Sequence, residues 1–395
     1  MKKALFIAYH FPPTEEIGGS VRSEKFIKYL SAFGWDAKVV ALKEEKNCSE
    51  PEIHSDVVRV KSLTPYDRPY HVVPYGWALN IWLKLKEVRG VDLIYVSCPP
   101  FPQIISSIFL KKRLDIPLIL DFRDAWSLDP NQEGSRLKRF VYKYIFPKVE
   151  KYTFGKADGI ILNTPAVLKG YQSLYPQYAK KMSWIPNGYD EDDFCDRKIN
   201  LKDSRKRPMR LLYCGRFGVC GRTPTLLFEA IDVVRRQIDI ELIIYGKQPE
   251  SLSGEVERLE LGDVVILKGQ IPHVDVIRQM FQHDVLVLYQ ESALNSYPSI
   301  ASKTYDYIRT GLPVLSIGPL GDNQDLIKRF VADSESINST SVVDVVKAIT
   351  SLHERWLVSR LKTTESIDPE YEKLYERKNL TRQLATCFNS AVVKS

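Results

Sequence analysis

Short apolar runs alternate with amphipathic stretches along most of the 395 residues. Ala4–Tyr9 reads as a strand, and Val21–Phe33 as a helix with Phe26, Ile27, Leu30 and Phe33 on one face. Asp36–Leu42, Val57–Val60, Asp92–Ser97, Pro117–Phe122 and Gly159–Asn163 continue the strand series, with helical candidates between most of them. Uniformly apolar strands separated by helices predict an α/β fold whose parallel sheet is covered on both faces.

The pattern pauses after Asn187. Lys198–Arg210 holds six basic residues, one acid and one proline, and reads as a solvated interdomain hinge, with a membrane-binding arm as the alternative. The alternation then restarts: strand Arg210–Cys214, helix Thr223–Arg236, strands Ile240–Tyr245, Asp263–Leu267 and Asp284–Tyr289, a helix from Ser302, and strand Pro313–Ile317. The expectation is two doubly wound, Rossmann-like domains, 1–197 and 210–365, joined by a linker at 198–209 and followed by a charged helical segment at 366–395. Such sheets bind ligands at strand C-terminal ends, here expected to face each other across a cleft.

Composition narrows the class. Apolar residues are 44% and charged residues 27%, ordinary for a globular protein and too apolar for disorder. Cys48, Cys98, Cys195, Cys214, Cys220 and Cys387 are scattered, without a Cys-x-x-Cys pair, which argues against a disulfide scaffold or structural zinc and fits a reducing, cytoplasmic compartment. Met1–Ala8 lacks the apolar length of a signal peptide. Leu93–Leu110 is free of charge but carries Pro99, Pro100 and Pro102, which break a spanning helix, so strand, loop and helix is the expectation. The formal charge of +7 is uneven: residues 1–200 carry 30 basic against 24 acidic side chains, the remainder 26 against 25. A basic first half suggests an anionic surface or partner. Arg136–Lys151 and Tyr66–Lys86 interleave basic and aromatic residues in the manner of a membrane-surface element, although a solvated basic face over a packed core explains each equally well. Nucleic acid has only the charge in its favour.

Four segments carry candidate chemistry. Leu211–Pro224 leaves a strand and enters a helix through Gly215, Gly218 and Gly221, with Arg216 and Arg222 beside them, Thr223 as expected N-cap and Pro224 at the first helical position. Glycines, fixed positive charge and a helix start suit a phosphate or diphosphate, while the spacing matches neither the dinucleotide fingerprint nor the Lys-Ser/Thr phosphate loop. Asn295–Tyr307 runs from a polar loop into a helix, where Ser302 offers backbone N–H groups and Lys303 and Asp306 share a face; plain helix-start dipole work is the alternative. His10–Ser20 places Gly18 and Gly19 at a helix start with Arg22 in its first turn. Asp121-Phe-Arg123-Asp124 lies at a strand mouth, where its charges need partners in each other or in a ligand, and an Asp121–Arg123 ion pair is one reading. No metal-ligand spacing and no Gly-x-Ser-x-Gly elbow occurs.

In combination these segments resemble the family 4 glycosyltransferases, retaining enzymes of GT-B architecture, in the type that builds bacterial surface polysaccharides. The resemblance rests on Tyr9-His-Phe-Pro-Pro13 with Gly18-Gly-Ser-Val-Arg22, Ile185-Pro-Asn-Gly-Tyr-Asp190 before Asp193-Phe194, Tyr213-Cys-Gly-Arg216, and Ser302-Lys-Thr-Tyr-Asp-Tyr307 followed by Gly311-Leu-Pro313. It implies a C-terminal domain that holds a nucleotide-diphosphate sugar, an N-terminal domain that holds a glycan or polyprenyl-linked acceptor, and a last helix that crosses back to the first domain. Arg216 and Arg222 fall on the family's diphosphate grip, and Gly18 and Gly19 on its donor-phosphate glycines. Asp306 falls on the second acid of the Glu-x7-Glu motif, which contacts ribose. Gly215, Ser302 and Lys303 join that donor set, while His10, Arg22, Asp121 and Arg123 stand on the acceptor side. Pro298 occupies the place of the first motif acid, and Arg123-Asp124 that of a His-Asp pair, which leaves Asp124 as a candidate catalytic contact. The implied mechanism needs neither metal nor cofactor. A nucleotide-sugar epimerase or a non-catalytic donor-binding subunit of an assembly complex are the alternatives.

Overall fold

Two all-parallel sheets organise the chain, seen in a computed structural model that describes residues 1–14, 17–44, 56–65, 73–83, 88–128, 136–194, 207–218, 223–290, 299–338, 341–358, 361, 363 and 366–394. Internal packing divides it into two units, Met1–Asn187 with Tyr375–Ser395, and Gly188–Leu374.

The first unit runs β1 (Lys2–Ile7), α1 (Ile17–Leu30), β2 (Trp35–Leu42), β3 (Val57–Val60), α2 (Val73–Leu83), β4 (Leu93–Cys98), α3 (Gln103–Leu114) and β5 (Leu118–Phe122). It continues with α4 (Arg136–Phe140), one π-helical stretch at Val141–Ile145, α5 (Phe146–Lys156), β6 (Gly159–Leu162), α6 (Pro165–Leu174) and β7 (Met182–Trp184). The strand order is β3-β2-β1-β4-β5-β6-β7. Its alternating residues serve both faces: Leu5, Ile7 and Tyr9 join one core with Trp77, Ile104 and Phe154, whereas Ala4, Phe6 and Ala8 join another with Phe26 and Leu30.

The second unit contains β8 (Met209–Cys214), α7 (Thr225–Val234), β9 (Ile240–Tyr245), α8 (Glu250–Arg258), β10 (Val265–Gly269), α9 (His273–Met280) and β11 (Val285–Tyr289). It then adds α10 (Ser302–Thr310), β12 (Val314–Ile317), α11 (Asp322–Phe330), β13 (Ser334–Ile337), α12 (Val342–Leu357) and α13 (Pro369–Tyr375). The order is β10-β9-β8-β11-β12-β13. In both units the chain works outward from the first strand in one direction and then returns to its other side. Neighbouring loops therefore part at the C-terminal ends of β1 and β4, and of β8 and β11, where doubly wound sheets take their ligands.

The last helix, α14 (Arg377–Lys394), belongs to the first unit. Leu380, Leu384, Phe388 and Ala391 form a stripe along it that is buried with Phe26, Leu30 and Trp35. Phe388 meets the Trp35 ring at 5.2 Å, and Asn389 accepts the Trp35 indole N–H at 3.1 Å.

The strands read from sequence are found within two residues of their expected bounds. Two edge strands escape that reading: β7 is three residues long, and β13 is the polar Ser-Glu-Ser-Ile. Helix α1 begins at Ile17 rather than Val21, because a Gly-Gly pair gives no helical signal of its own. Gly18 and Gly19 thus lie in its first turn and Arg22 in its second. Helix α7 starts at Thr225 with Pro224 as its cap, one residue later than the expected Thr223 cap. Leu93–Leu110 forms β4, a proline loop and part of α3, and no described helix is long and apolar enough to cross a membrane.

Candidate active site

The loop that leaves β8 is held from both sides. Gly215 N–H donates to Tyr245 O at 2.9 Å, and Gln248 Nε2 donates to Gly215 O at 2.7 Å. The same Gln248 side chain accepts the Phe217 N–H at 3.1 Å. Phe217 is buried and stacks on Tyr213 with 4.4 Å between centroids. Between these anchors Arg216 is exposed, and it has no ion-pair partner among the described residues. A rigid backbone thus carries an uncompensated guanidinium, an arrangement suited to an anion.

Helix α10 adds a second cation to that corner. Lys303 and Tyr307, one turn apart, grip one peptide unit: Lys303 Nζ donates to Cys214 O at 2.9 Å, while Tyr307 Oη accepts the Cys214 N–H at 3.2 Å. The ammonium lies 4.0 Å from the centroid of the Tyr213 ring. A Cβ on Gly215 would stand 3.0 Å from both Lys303 Nζ and Tyr213 Oη, so the lysine packs closely over this glycine. Arg216, Lys303 and the helix start at Ser302 therefore share the C-terminal end of β8, with the α10 dipole adding its positive end. Burial pushes the Cys214 thiol up to about 12, which excludes it as a nucleophile at neutral pH.

Asp306 has a partner that sequence reading misses. Its Oδ2 is 3.1 Å from His273 Nε2 at the start of α9, and His273 Nδ1 is 3.6 Å from Asp193 Oδ2. Burial opposes charge on the imidazole, but the two carboxylates outweigh it and raise its pKa to about 10. Lys303 and Asp306 thus share a helix but serve different neighbours. Further along α10, buried Arg309 makes a two-point ion pair with Glu191 at 2.6 and 2.5 Å. Nothing in the spacing of residues 191, 193 and 273 announces these contacts; only the fold joins them to α10.

In the first unit, His10, Gly19 and Arg123 come together where β1, β4 and β5 end. Arg123 Nη1 donates to Gly19 O at 2.9 Å and Nη2 to Pro99 O at 2.6 Å, so one guanidinium ties three chain segments. Like Arg216, it lacks an ion-pair partner among the described residues. A Cβ on Gly19 would lie 2.9 Å from His10 Cδ2, a contact that requires glycine. Burial, aided by the charge of Arg123, lowers His10 to about 4 and leaves its ring neutral. Asp124 is exposed beside Arg123.

Of the readings open for Asp121, the structure takes neither a pair with Arg123 nor an exposed ligand contact, but a pair with Arg22. Arg22 Nε and Nη2 reach Asp121 at 2.6 and 2.9 Å, and its remaining donors go to Ile185 O, Pro186 O and Asn187 Oδ1 at 2.8, 2.7 and 3.3 Å. Tyr95 donates to the same carboxylate. All five guanidinium donors are satisfied inside the unit, so Arg22 and Asp121 build the site's wall and have no donor or exposed oxygen for an acceptor.

A buried carboxyl supports the Asp124 loop from behind. Glu150, whose pKa burial raises, accepts from Tyr171 Oη at 2.5 Å, from Tyr175 Oη at 3.0 Å and from the Ser127 N–H at 3.1 Å. Tyr171 Oη in turn accepts the Trp126 N–H at 2.8 Å. Neither Glu150 nor Gln248 carries a motif, and the glycine at 246, directly after β9, is the one local sign of a built loop. Arg222, Pro298, the linker at 198–206 and parts of Tyr66–Lys86 lie outside the described residues. Among the described residues no group of three or more His, Cys, Asp or Glu is placed to hold a metal ion.

Residues 18–193 match the model of Glycosyltransferase Family 4. No curated protein sequence matches the chain. Among solved structures, sucrose-phosphate synthase from Thermosynechococcus elongatus superposes with a TM-score of 0.74 at 17% identity, covering 100% of both chains. HepE from Anabaena, solved with UDP and glucose, gives 0.69 at 14% identity, over 99% of this chain and 100% of that one. WaaG, a glycosyltransferase involved in lipopolysaccharide biosynthesis, gives 0.68 at 15% identity, over 98% and 99%. At such identities the likeness establishes the fold. Residues 18–193 are therefore similar to family 4 glycosyltransferases, and strand order and superposition together give the chain the GT-B fold.

Proposed function

We propose that the chain transfers a sugar, with retention, from a nucleotide-diphosphate sugar to a hydroxyl of a glycan or polyprenyl-linked glycan in surface-polysaccharide synthesis. The observation that carries this reading is the cationic corner after β8, where the exposed Arg216 and the anchored Lys303 flank Gly215 at the start of α10. HepE was solved with UDP-glucose, which supports a nucleotide sugar as donor.

In the reaction, the acceptor oxygen attacks the anomeric carbon as the bond to the diphosphate breaks, and the hydroxyl proton passes to a diphosphate oxygen. Negative charge grows on the leaving group, where Arg216, Lys303 and the α10 dipole stabilise it most; Arg222 joins them by sequence position. These cations supply the neutralisation that a metal would otherwise give, so the reading needs neither metal nor cofactor. Asp306 stands for the nucleotide ribose, with His273 setting the position of its carboxylate. His10, Arg123 and Asp124 are the candidates for the acceptor side. Arg22 and Asp121 keep only a structural part. We place the chain in the cytoplasm, where nucleotide sugars are made.

The test is thermal shift against UDP-, GDP- and ADP-sugars, for the parent protein and Arg216→Ala. Stabilisation by one nucleotide class, lost in the variant, is the expected result. With the donor named, NMR of the product's anomeric configuration checks retention. Stabilisation without turnover across lipid-linked and free glycans would favour a non-catalytic donor-binding subunit. Absence of any shift would sink the donor reading.

A further inference from the structure

Helices α2, α3 and α5 cover one face of the first unit's sheet, and their outer surface is unusual. The 11 residues of α2 include no charged side chain. Trp77, Ala78 and Ile81 turn inward, while Tyr75, Leu79, Trp82 and Leu83 form an outward stripe at i, i+4, i+7 and i+8. On α3, Ile105 and Phe109 continue it, with Trp82 and Phe109 edge to face at 5.0 Å. These six side chains are each 41–62% exposed. An apolar cluster of that kind on one surface marks a contact site rather than scattered exposure. The opposite layer differs: among the side chains described, α1 has no large exposed apolar one, and α14 has only Val393, in its last turn.

Charge selects the occupant. Helices α2 and α3 contain no acidic residue, and the exposed stripe of α3 ends in Lys112 and Arg113. Helix α5 adds exposed Lys148 and Lys151 beside exposed Tyr152. Trp and Tyr edges next to cations match the boundary between headgroups and acyl chains. A second copy of this face would bring cations of the same sign instead.

We infer that the α2–α3 face docks the protein on an anionic lipid bilayer, with Leu79, Trp82 and Phe109 entering the interface and Lys112 and Arg113 meeting lipid phosphates. The docking itself is independent of the transferase reading; its purpose, bringing the site to a lipid-linked acceptor, rests on that reading.

The full chain is sedimented with vesicles of phosphatidylcholine alone, or with about a third phosphatidylglycerol, at low and high salt. Three proteins are compared: parent, Leu79→Ser with Trp82→Ser, and Lys112→Glu with Arg113→Glu. The altered side chains are exposed and lie on different helices, and melting curves check that both variants fold. The expected result is binding of the parent to anionic vesicles, a loss of about tenfold or more in the apolar variant, and loss of the salt-sensitive part in the charge variant. A parent that stays in the supernatant at low salt, or variants that bind like the parent, would overturn the inference. So would a concentration-dependent dimer, abolished by the Leu79/Trp82 variant, without vesicle binding; that outcome would assign the face to a second copy. Nucleotide-sugar thermal shift, run in parallel, separates the two readings: loss of vesicle binding with the shift retained sinks docking alone, and the reverse sinks the donor reading alone.

Discussion

Arg22 and Asp121, 99 residues apart, form a two-point ion pair at 2.6 and 2.9 Å, with side chains only 2% and 0% exposed. The pair fastens α1 to the end of β5, and the remaining Arg22 donors fix Ile185–Asn187. Breaking one side of a buried pair strands the other charge, which costs about 3–5 kcal/mol. Arg22→Met and Asp121→Asn are each expected to lose an amount of that order in urea denaturation. A loss under about 1 kcal/mol would show that the pair is not the buried anchor described.

Gly246 sits where a side chain cannot. A Cβ there would be 2.3 Å from Gly215 O, and its φ is +132°. Gly246→Ala is expected to push the Gly215–Gly218 loop away from Gln248. The readout is nucleotide-sugar thermal shift, which should weaken strongly even where the melting point of the free protein falls by only a few degrees. An unchanged shift would separate this loop from the donor site.

Lys303 differs from Arg216 in being tethered to Cys214 O. A charge-assisted contact to a diphosphate is worth about 1.5–3 kcal/mol, so Lys303→Met should weaken donor binding about ten- to a hundredfold by calorimetry. Arg216→Ala should act similarly on binding but leave the free protein's stability unchanged, since Arg216 has no ion-pair partner among the described residues. Equal destabilisation by both would contradict that division.

The His273 cluster gives a pH signature. Its pKa is about 10 in the fold against about 6.5 in an unfolded chain. The native state therefore holds its proton more tightly, and the stabilisation is complete below about pH 6.5 and lost as pH rises toward 10. With the side chain 45% exposed, the effect should be about 1 kcal/mol or less. Stability of parent and His273→Gln, followed by urea denaturation across that window, should converge at the alkaline end. Curves that stay parallel would rule out the charged cluster.

The positions of the candidate cations were legible to different depths. Arg216 follows a predicted strand and precedes a predicted helix, so its place at a sheet's ligand-binding end followed from local pattern. Arg123 was legible in place but not in partner, because its proximity to Asp121 suggested a pair, while the fold gives Asp121 to Arg22. Asp121 lies inside β5 and meets Arg22 on α1, whereas Arg123 lies just past the strand end and turns to Gly19 O and Pro99 O. His273, Gln248 and Glu150 could not be found at all, since each acts on residues 20 or more positions away.

What the chain alone determined is what local physics encodes: period-two and period-3.6 apolar patterning, glycines at strand ends, and the mixing of basic and aromatic residues over Tyr66–Lys86. Those set two doubly wound domains and the loops that could carry anions. Only the tertiary structure decided which charges neutralise each other and which stay available. That outcome depends on distances between segments far apart in sequence, and on burial, which makes an unpaired charge costly in the core and tolerable at a strand mouth. It turned Arg22 and Asp121 into a wall, left Arg123 and Arg216 without ion-pair partners among the described residues, and gave the outer face of α2 its exposure.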